Sequence, residues 1–141
     1  MRPSVVALDI GGTTVKSGVV LPDGRMHQAE RHPTRAGDGP EAVVATIVEI
    51  AGALAAKART DGLTPVAAGL AVPGVVDEAA GIAAWSANLG FRDVPLRDLV
   101  AANLRLPTAL GHDVRAGGLA EARLGAARGS RHVLFVAIGT G

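Results

Sequence analysis

Two glycine-containing turns follow apolar runs in this sequence, and both have the composition of phosphate-binding loops. The first, Gly11-Gly12-Thr13-Thr14, comes directly after Asp9-Ile10, where an apolar run ends. Adjacent glycines let backbone N–H groups approach a phosphate without obstruction by a Cβ atom, and the threonines add hydroxyl donors. The second, Gly139-Thr140-Gly141, follows the apolar run 132–138. Together the two turns could bind the two ends of a polyphosphate. A lone Gly-Thr-Gly is also typical of a plain turn.

Charged side chains flank the first turn. Asp9 stands at the end of the preceding run and could hold a hydrated Mg²⁺ that neutralises phosphate charge, and Lys16 follows as a candidate phosphate contact. The segment is not a Walker A loop, because Val15 stands where that motif has glycine, and a strand follows instead of a helix. It also lacks the Gly-x-Gly-x-x-Gly spacing of a dinucleotide-binding fold. The alternative interpretation is an ordinary hairpin turn with a capping Asp.

A second carboxylate lies where a strand is predicted to give way to a helix. Asp113 follows His112 at this junction, and it could accept the proton of a substrate hydroxyl that attacks phosphorus. Asp is equally a favoured helix N-cap, worth about 1 kcal/mol, and both roles can hold together. His112 could contact a sugar or simply end the strand. A metal role for His112 is not expected, because no second ligand is near in sequence.

The segment 73–91 is predicted to be a long loop, and it offers neutral hydrogen-bonding groups. Asn88 carries a donor and an acceptor on one amide, and the Gly74 backbone can approach a ligand closely. Phe91 or Trp85 could cover the apolar face of a sugar. A structured surface loop with one packed aromatic is the alternative. Loops of this length inside a compact domain are usually functional or disordered.

Strands and helices that alternate along the chain must position these residues, and their predicted order, βββαβαβαβ, indicates an α/β fold. Apolar residues at helical spacing, with Pro40 at the start and Asp61-Gly62 after the end, predict the first helix. The predicted strands are 4–10, 15–21, 25–32, 64–72, 107–111 and 132–138, and the predicted helices are 40–59, 95–104 and 113–127. Since the last strand runs straight into Gly139-Thr140-Gly141, we expect the chain to be an incomplete domain.

The amino-acid composition argues against several classes of protein. The 141 residues are 48% hydrophobic and 19% charged, with a formal net charge of +1. These values argue against disorder and against a charge-driven nucleic-acid or membrane surface. The absence of cysteine excludes disulfides and thiolate metal sites here and fits a reducing compartment. With no signal peptide and no apolar run of the ~20 residues that a membrane span needs, we expect a cytoplasmic protein.

Taken in order, these motifs resemble the ROK family (repressors, open reading frames and kinases), and the resemblance covers almost the whole chain. It implies the actin-like, ribonuclease-H-like ATPase fold, with residues 1–141 as an N-terminal domain that lacks its C-terminal lobe. The best-known members are bacterial glucokinases and other hexose or N-acetylhexosamine kinases. The matching segments are Asp9-Ile10-Gly11-Gly12-Thr13, Pro73-Gly74-Val75-Val76-Asp77, Asn88-Leu89, Asp113 with Ala120-Glu121 and Gly125, and Ile138-Gly139-Thr140-Gly141.

The resemblance implies ATP-dependent phosphorylation of a hexose hydroxyl, with Mg²⁺ accompanying the ATP. Asp113 matches the base that deprotonates the sugar 6-hydroxyl, and Gly74 and Asn88 match sugar-contacting positions. Many family kinases carry Asn before the catalytic Asp, whereas His112 stands here, so the identity of the sugar stays open. The family's phosphate-binding positions correspond to Asp9, Gly11, Gly12, Thr13, Gly139, Thr140 and Gly141.

Other family features are expected further along a full-length chain. These are additional sugar contacts, a Cys-rich motif for structural Zn²⁺, adenine-binding segments and assembly into a homodimer or homotetramer. Without the opposite wall of the cleft, the isolated 141 residues are expected to have no appreciable kinase activity. The phosphoryl donor in some relatives is polyphosphate instead of ATP.

Two other functions compete with a kinase. A sugar-responsive repressor of the same family would carry a helix-turn-helix before the phosphate motif, whereas the first predicted strand already begins at Ser4. A non-catalytic sugar- or nucleotide-binding domain, such as a chaperone-type ATPase of the actin-like superfamily, is the other. Asn88 and Asp113 favour a small hydroxylated substrate, and therefore the kinase. We expect no nucleic-acid and no membrane partner.

Overall fold

A five-stranded mixed sheet forms the centre of the molecule. The computed structural model describes residues 2–138. Across the sheet the strand order is β3-β2-β1-β4-β8, and a smaller sheet has the order β5-β6-β7. The strands are β1 Arg2–Ile10, β2 Thr14–Val20, β3 Met26–Pro33, β4 Leu63–Val72, β5 Val75–Asp77, β6 Ile82–Ser86, β7 Phe91–Val94 and β8 Thr108–His112, and the helices are α1 Pro40–Thr60, α2 Leu96–Leu104 and α3 Asp113–Leu124.

The pairing of the strands brings three strand ends together. β1 pairs in parallel with β4, and β4 pairs in parallel with β8. β2 pairs antiparallel with both of its neighbours. The carboxyl ends of β1, β4 and β8 therefore meet at one edge of the sheet, where α/β proteins place their ligands.

One face of the sheet carries the hydrophobic core. Helix α1 begins at Pro40 and buries the stripe Val43, Ile47 and Leu54, which recurs at helical spacing. Alternate residues of β1, such as Val6 and Ile10, are fully buried in the same core. Because successive side chains of a strand point to opposite faces, Asp9 points to the other face, where it is exposed.

The segment 73–91, predicted to be a loop, contains regular structure. β5, β6 and β7 form a small antiparallel sheet, and a glycine with positive φ stands directly before each strand: Gly74, Gly81 and Gly90, at 101°, 73° and 69°. The strands have only 3, 5 and 4 residues, too few for an alternating pattern to stand out. The prediction of a long loop was therefore wrong.

The predicted last strand, 132–138, is also wrong, because these residues adopt no regular structure. Leu134 and Ile138 are 88% and 95% exposed. An apolar run becomes a strand only where a neighbouring edge pairs with its backbone, and within residues 2–138 no strand pairs with this segment. Helix α3 likewise ends at Leu124, three residues before the predicted end. Among the described helices, none is long and apolar enough to cross a membrane.

Candidate functional site

The first glycine turn lies at the carboxyl end of β1 and is held in shape by its surroundings. The Gly11 N–H donates to the Thr14 carbonyl at 2.9 Å. The Thr34 hydroxyl donates to the Gly11 carbonyl at 2.7 Å, and the Thr34 N–H donates to the Thr13 carbonyl at 2.9 Å. Thr34 was not singled out from the sequence. Its only signal is its position directly after β3, which the β2–β3 hairpin returns to the turn.

Asn88 packs directly against this turn, although 76 residues of sequence separate it from Gly12. A Cβ atom placed on Gly12 would lie 3.2 Å from the Asn88 Cβ and 3.7 Å from its amide nitrogen. The candidate phosphate turn and the candidate sugar amide are therefore neighbours. Asn88 is also exposed, so its amide is accessible to a ligand.

Asp113 is the first residue of α3 and not its N-cap, which corrects the capping interpretation. His112 occupies the cap position with extended backbone, and its Nδ1 accepts from the Val114 N–H at 3.2 Å. Asp113 Oδ1 accepts from the same N–H at 2.8 Å. The side chains of His112 and Asp113 are 28% and 34% exposed, with 3.4 Å between Nδ1 and Oδ1. The Val114 N–H occupies only Oδ1 of Asp113, which leaves Oδ2 for a substrate hydroxyl.

Asp9 and Asp113 line one cavity of about 390 Å³, together with Ala71, Gly117 and Phe135. Two carboxylates from different elements thus reach the same space, and Asp9 stands two residues before the phosphate turn in the chain. Mg²⁺ prefers oxygen ligands and usually keeps several waters, bound by one or two carboxylates plus substrate phosphates. The exposed carboxylate of Asp9 fits that role. Residues 2–138 contain no group of three or more His, Cys, Asp or Glu side chains able to hold a metal by themselves.

Lys16 lies opposite Asp9 in the β1–β2 ladder and faces a broad groove of about 1200 Å³. The groove also contains Asp9 and Glu30, whereas Lys16 does not line the cavity shared by Asp9 and Asp113. A hydrogen bond from His32, supported by Lys57, lowers the pKa of Glu30. Asp9 lines both the groove and the smaller cavity, so Lys16 and Asp113 each share a space with Asp9.

Gly74 follows β4 and adopts φ of 101°, a conformation that side chains other than glycine's rarely tolerate. A Cβ atom there would run into the Trp85 carbonyl, and it would lie 3.0 Å from Ser86 Cα. Gly74 thus lets β4 turn into the small sheet that carries Asn88. Trp85 itself is 47% exposed, whereas Phe91 is buried in the core and is not available to cover a sugar.

Glu78 is a further residue at this edge that sequence reasoning missed. Its Oε1 accepts from the His112 N–H at 3.3 Å and lies 3.4 Å from Arg115 Nη1. It therefore ties the small sheet to the end of β8, next to Asp113. No local signal marks this contact, because Glu78 lies in the turn between β5 and β6. The other predicted phosphate turn, Gly139-Thr140-Gly141, lies outside the described residues.

Comparison with known families decides the membership of the chain. The model of the ROK family matches residues 5–141. The chain belongs to the ROK family. A glucokinase of Streptomyces coelicolor is 31% identical to this ROK chain over 136 residues, which are 96% of the chain and 41% of that relative. The chain spans about 41% of the length of the curated glucokinases that it matches.

Solved structures of the ROK family share the fold. The ROK glucokinase of Streptomyces griseus, solved with glucose and AMPPNP, is 30% identical, with a TM-score of 0.76 over 89% of this chain and 38% of that one. A ROK transcriptional regulator, a homologue of the Escherichia coli MLC protein, has a TM-score of 0.79 at 14% identity, over 88% of this chain and 31% of that one. The latter similarity concerns the fold alone. The predicted actin-like ATPase fold is thereby confirmed.

Proposed function

We propose that this ROK chain is the N-terminal domain of a kinase that transfers the γ-phosphoryl group of ATP to a hexose hydroxyl. The observation that carries the proposal is the meeting of three groups at one sheet edge. The phosphate turn touches Asn88 through Gly12, and Asp113 shares a cavity with Asp9, which stands two residues before that turn in the chain. A phosphate donor, a hydroxylated acceptor and a base would thus be neighbours.

In the proposed reaction, Asp113 accepts the proton of the hexose hydroxyl as the hydroxyl oxygen attacks the γ-phosphorus. The bond between the γ-phosphorus and its bridging oxygen breaks, and ADP leaves with the bridging oxygen. The turn would hold the phosphates through the Gly12 and Thr13 N–H groups, together with the Thr13 and Thr14 hydroxyls and Lys16, whereas the Gly11 N–H is bonded to the Thr14 carbonyl and shapes the turn. Asp9 would hold Mg²⁺ through water. The metal supplies charge neutralisation on the phosphate oxygens. Positioning and electrostatics then account for most of the acceleration.

The acceptor site is proposed to comprise Asn88, the Gly74 backbone, Asp113 and His112. Asn88 is exposed beside the phosphate turn, and His112 adjoins Asp113. The glucokinase relatives favour glucose as the first sugar to test. Gly139, Thr140 and Gly141 are proposed as the second phosphate motif, and a C-terminal lobe is proposed to supply the rest of the cleft.

Sugar-dependent release of ADP by the full-length gene product is the direct test. We expect one or a few members of a panel of glucose, mannose, fructose, allose, N-acetylglucosamine and N-acetylmannosamine to stimulate ADP release well above the rate without sugar. Replacing ATP by inorganic polyphosphate, with detection of the sugar phosphate, determines the donor. ADP release that no sugar changes would point to a chaperone-type ATPase. Binding of promoter DNA without turnover would point to a regulator.

The isolated residues 1–141 are the matched sample for the same assay. They are expected to show no turnover above background, because one wall of the cleft would be missing. Robust sugar-dependent turnover by this fragment would contradict the proposed two-lobed arrangement.

A further inference from the structure

Thr34 is the one side chain within residues 2–138 that is fully buried and hydrogen-bonded to the phosphate turn. Its exposed fraction is 0%, and it belongs neither to β3, which ends at Pro33, nor to α1. Its hydroxyl reaches the Gly11 carbonyl at 2.7 Å, and its N–H reaches the Thr13 carbonyl at 2.9 Å. The hydroxyl and the backbone N–H of Thr34 therefore both donate to carbonyls of the same turn.

These two bonds set the direction of the turn's own donors. In a trans peptide unit the C=O of one residue and the N–H of the next point in opposite directions. Because Thr34 holds the Gly11 carbonyl, the Gly12 N–H points away from Thr34, and in residues 2–138 it has no backbone acceptor. A donor fixed in this way can meet an anion without reorganising, which is the condition for strong electrostatic binding.

We propose that Thr34 is a positioning residue for the phosphate site: its hydroxyl and N–H hold the Gly11–Thr13 turn so that the Gly12 N–H faces the phosphates of the nucleotide. This inference rests on the proposed function and adds a residue that contacts neither phosphate nor sugar. The alternative is a purely structural threonine that stabilises the hairpin without affecting the ligand.

A pair of substitutions separates these roles, with a control elsewhere in the chain. Thr34→Val keeps the branched shape and removes the hydroxyl, whereas Thr34→Ser keeps the hydroxyl. Thr46→Val is the matched control, because Thr46 is also buried and its hydroxyl donates to a backbone carbonyl, that of Ala42, at 2.8 Å within α1. The measurements are the Kd for Mg-AMPPNP by calorimetry and the KM values for ATP and for sugar in the full-length protein.

Thr34→Val is expected to raise the nucleotide Kd and the KM for ATP by roughly fivefold to tenfold, the worth of about one hydrogen bond. The KM for sugar should rise clearly less than the KM for ATP, because Asp113 has no bond to Thr34 or the turn, and Asn88 meets the turn only by packing against Gly12. Thr34→Ser should restore the nucleotide values to within about twofold, and Thr46→Val should change neither. If Thr34→Val does not fold, Thr34→Ala is compared with Thr34→Ser, since these two differ only by the hydroxyl.

The role of Thr34 is overturned if Thr34→Val behaves like Thr46→Val, if it raises the KM for sugar as much as that for ATP, or if serine fails to rescue. A wild-type protein that binds the nucleotide but phosphorylates no sugar contradicts the proposed function. The nucleotide Kd then still decides the role of Thr34. A wild-type protein that binds no nucleotide overturns both.

Discussion

Asp113→Asn is expected to lower kcat about 10³-fold, the usual contribution of a general base, while the affinity for sugar changes little. Asparagine keeps an oxygen that can accept the Val114 N–H, as Asp113 Oδ1 does at 2.8 Å. The start of α3 should therefore survive, and only the ability to take a proton is lost. Single-turnover phosphorylation and equilibrium sugar binding, measured on the same full-length variant, separate chemistry from binding.

The control for this substitution is Asp98→Asn. Asp98 is also an acidic residue in the first turn of a helix, α2, and it does not line the cavity that holds Asp9 and Asp113. Its loss should leave kcat unchanged. If Asp113→Asn is as harmless as Asp98→Asn, Asp113 serves only the helix terminus, and the binding-only and regulatory functions become the better explanations.

Gly74→Ala is expected to be the most destabilising single-methyl change at the site, at roughly 3 kcal/mol. The alanine must adopt φ of 101°, and its Cβ would overlap the Trp85 carbonyl oxygen, a backbone atom that cannot move alone. Relief requires β6 to shift, and β6 leads directly to Asn88. Urea or thermal unfolding of the full-length protein measures the loss, and the KM for sugar should rise in the fraction that folds.

Gly24→Ala is the matched control, because Gly24 also has positive φ, 82°, but has nothing within 4 Å of an added Cβ. Gly24→Ala therefore measures the loss of stability that positive φ alone causes, which is about 1 kcal/mol. A Gly74→Ala protein as stable as Gly24→Ala would mean that the contact with the Trp85 carbonyl is not tight in solution, and that Gly74 does not set the approach of the small sheet.

Much of the fold was predictable from the sequence because its signals are local. Helix α1 was predicted as 40–59 and observed as Pro40–Thr60, since an apolar stripe, a leading proline and a trailing Asp-Gly all agree. The predicted strands that became β1, β4 and β8 are short, mainly apolar segments that end at or next to a glycine or proline, and each was predicted to within two residues at either end. The small sheet was missed because its strands are too short to show a period.

The candidate site likewise combines groups that the sequence predicts with contacts that it does not predict. Residue types and their order were enough to find the available groups: a glycine turn after a buried strand, an acid at a strand-to-helix junction and an amide in the segment 73–91. Which of these groups meet depends on how the strands pair and how the segments between them pack. Parallel pairing of β1, β4 and β8 brings Asp9 to Asp113, and the turn at Gly74 brings Asn88 to Gly12.

Thr34 and the segment 132–138 show why some features could not be predicted from the sequence. No local pattern distinguishes a threonine that supports a turn from a threonine on the surface, because the Gly11 carbonyl that Thr34 bonds lies 23 residues away across a hairpin. An apolar run likewise carries strand propensity, but its backbone groups form a ladder only with another strand. Residue type and spacing act over a few residues, whereas pairing and contact depend on how distant segments of the chain are packed together.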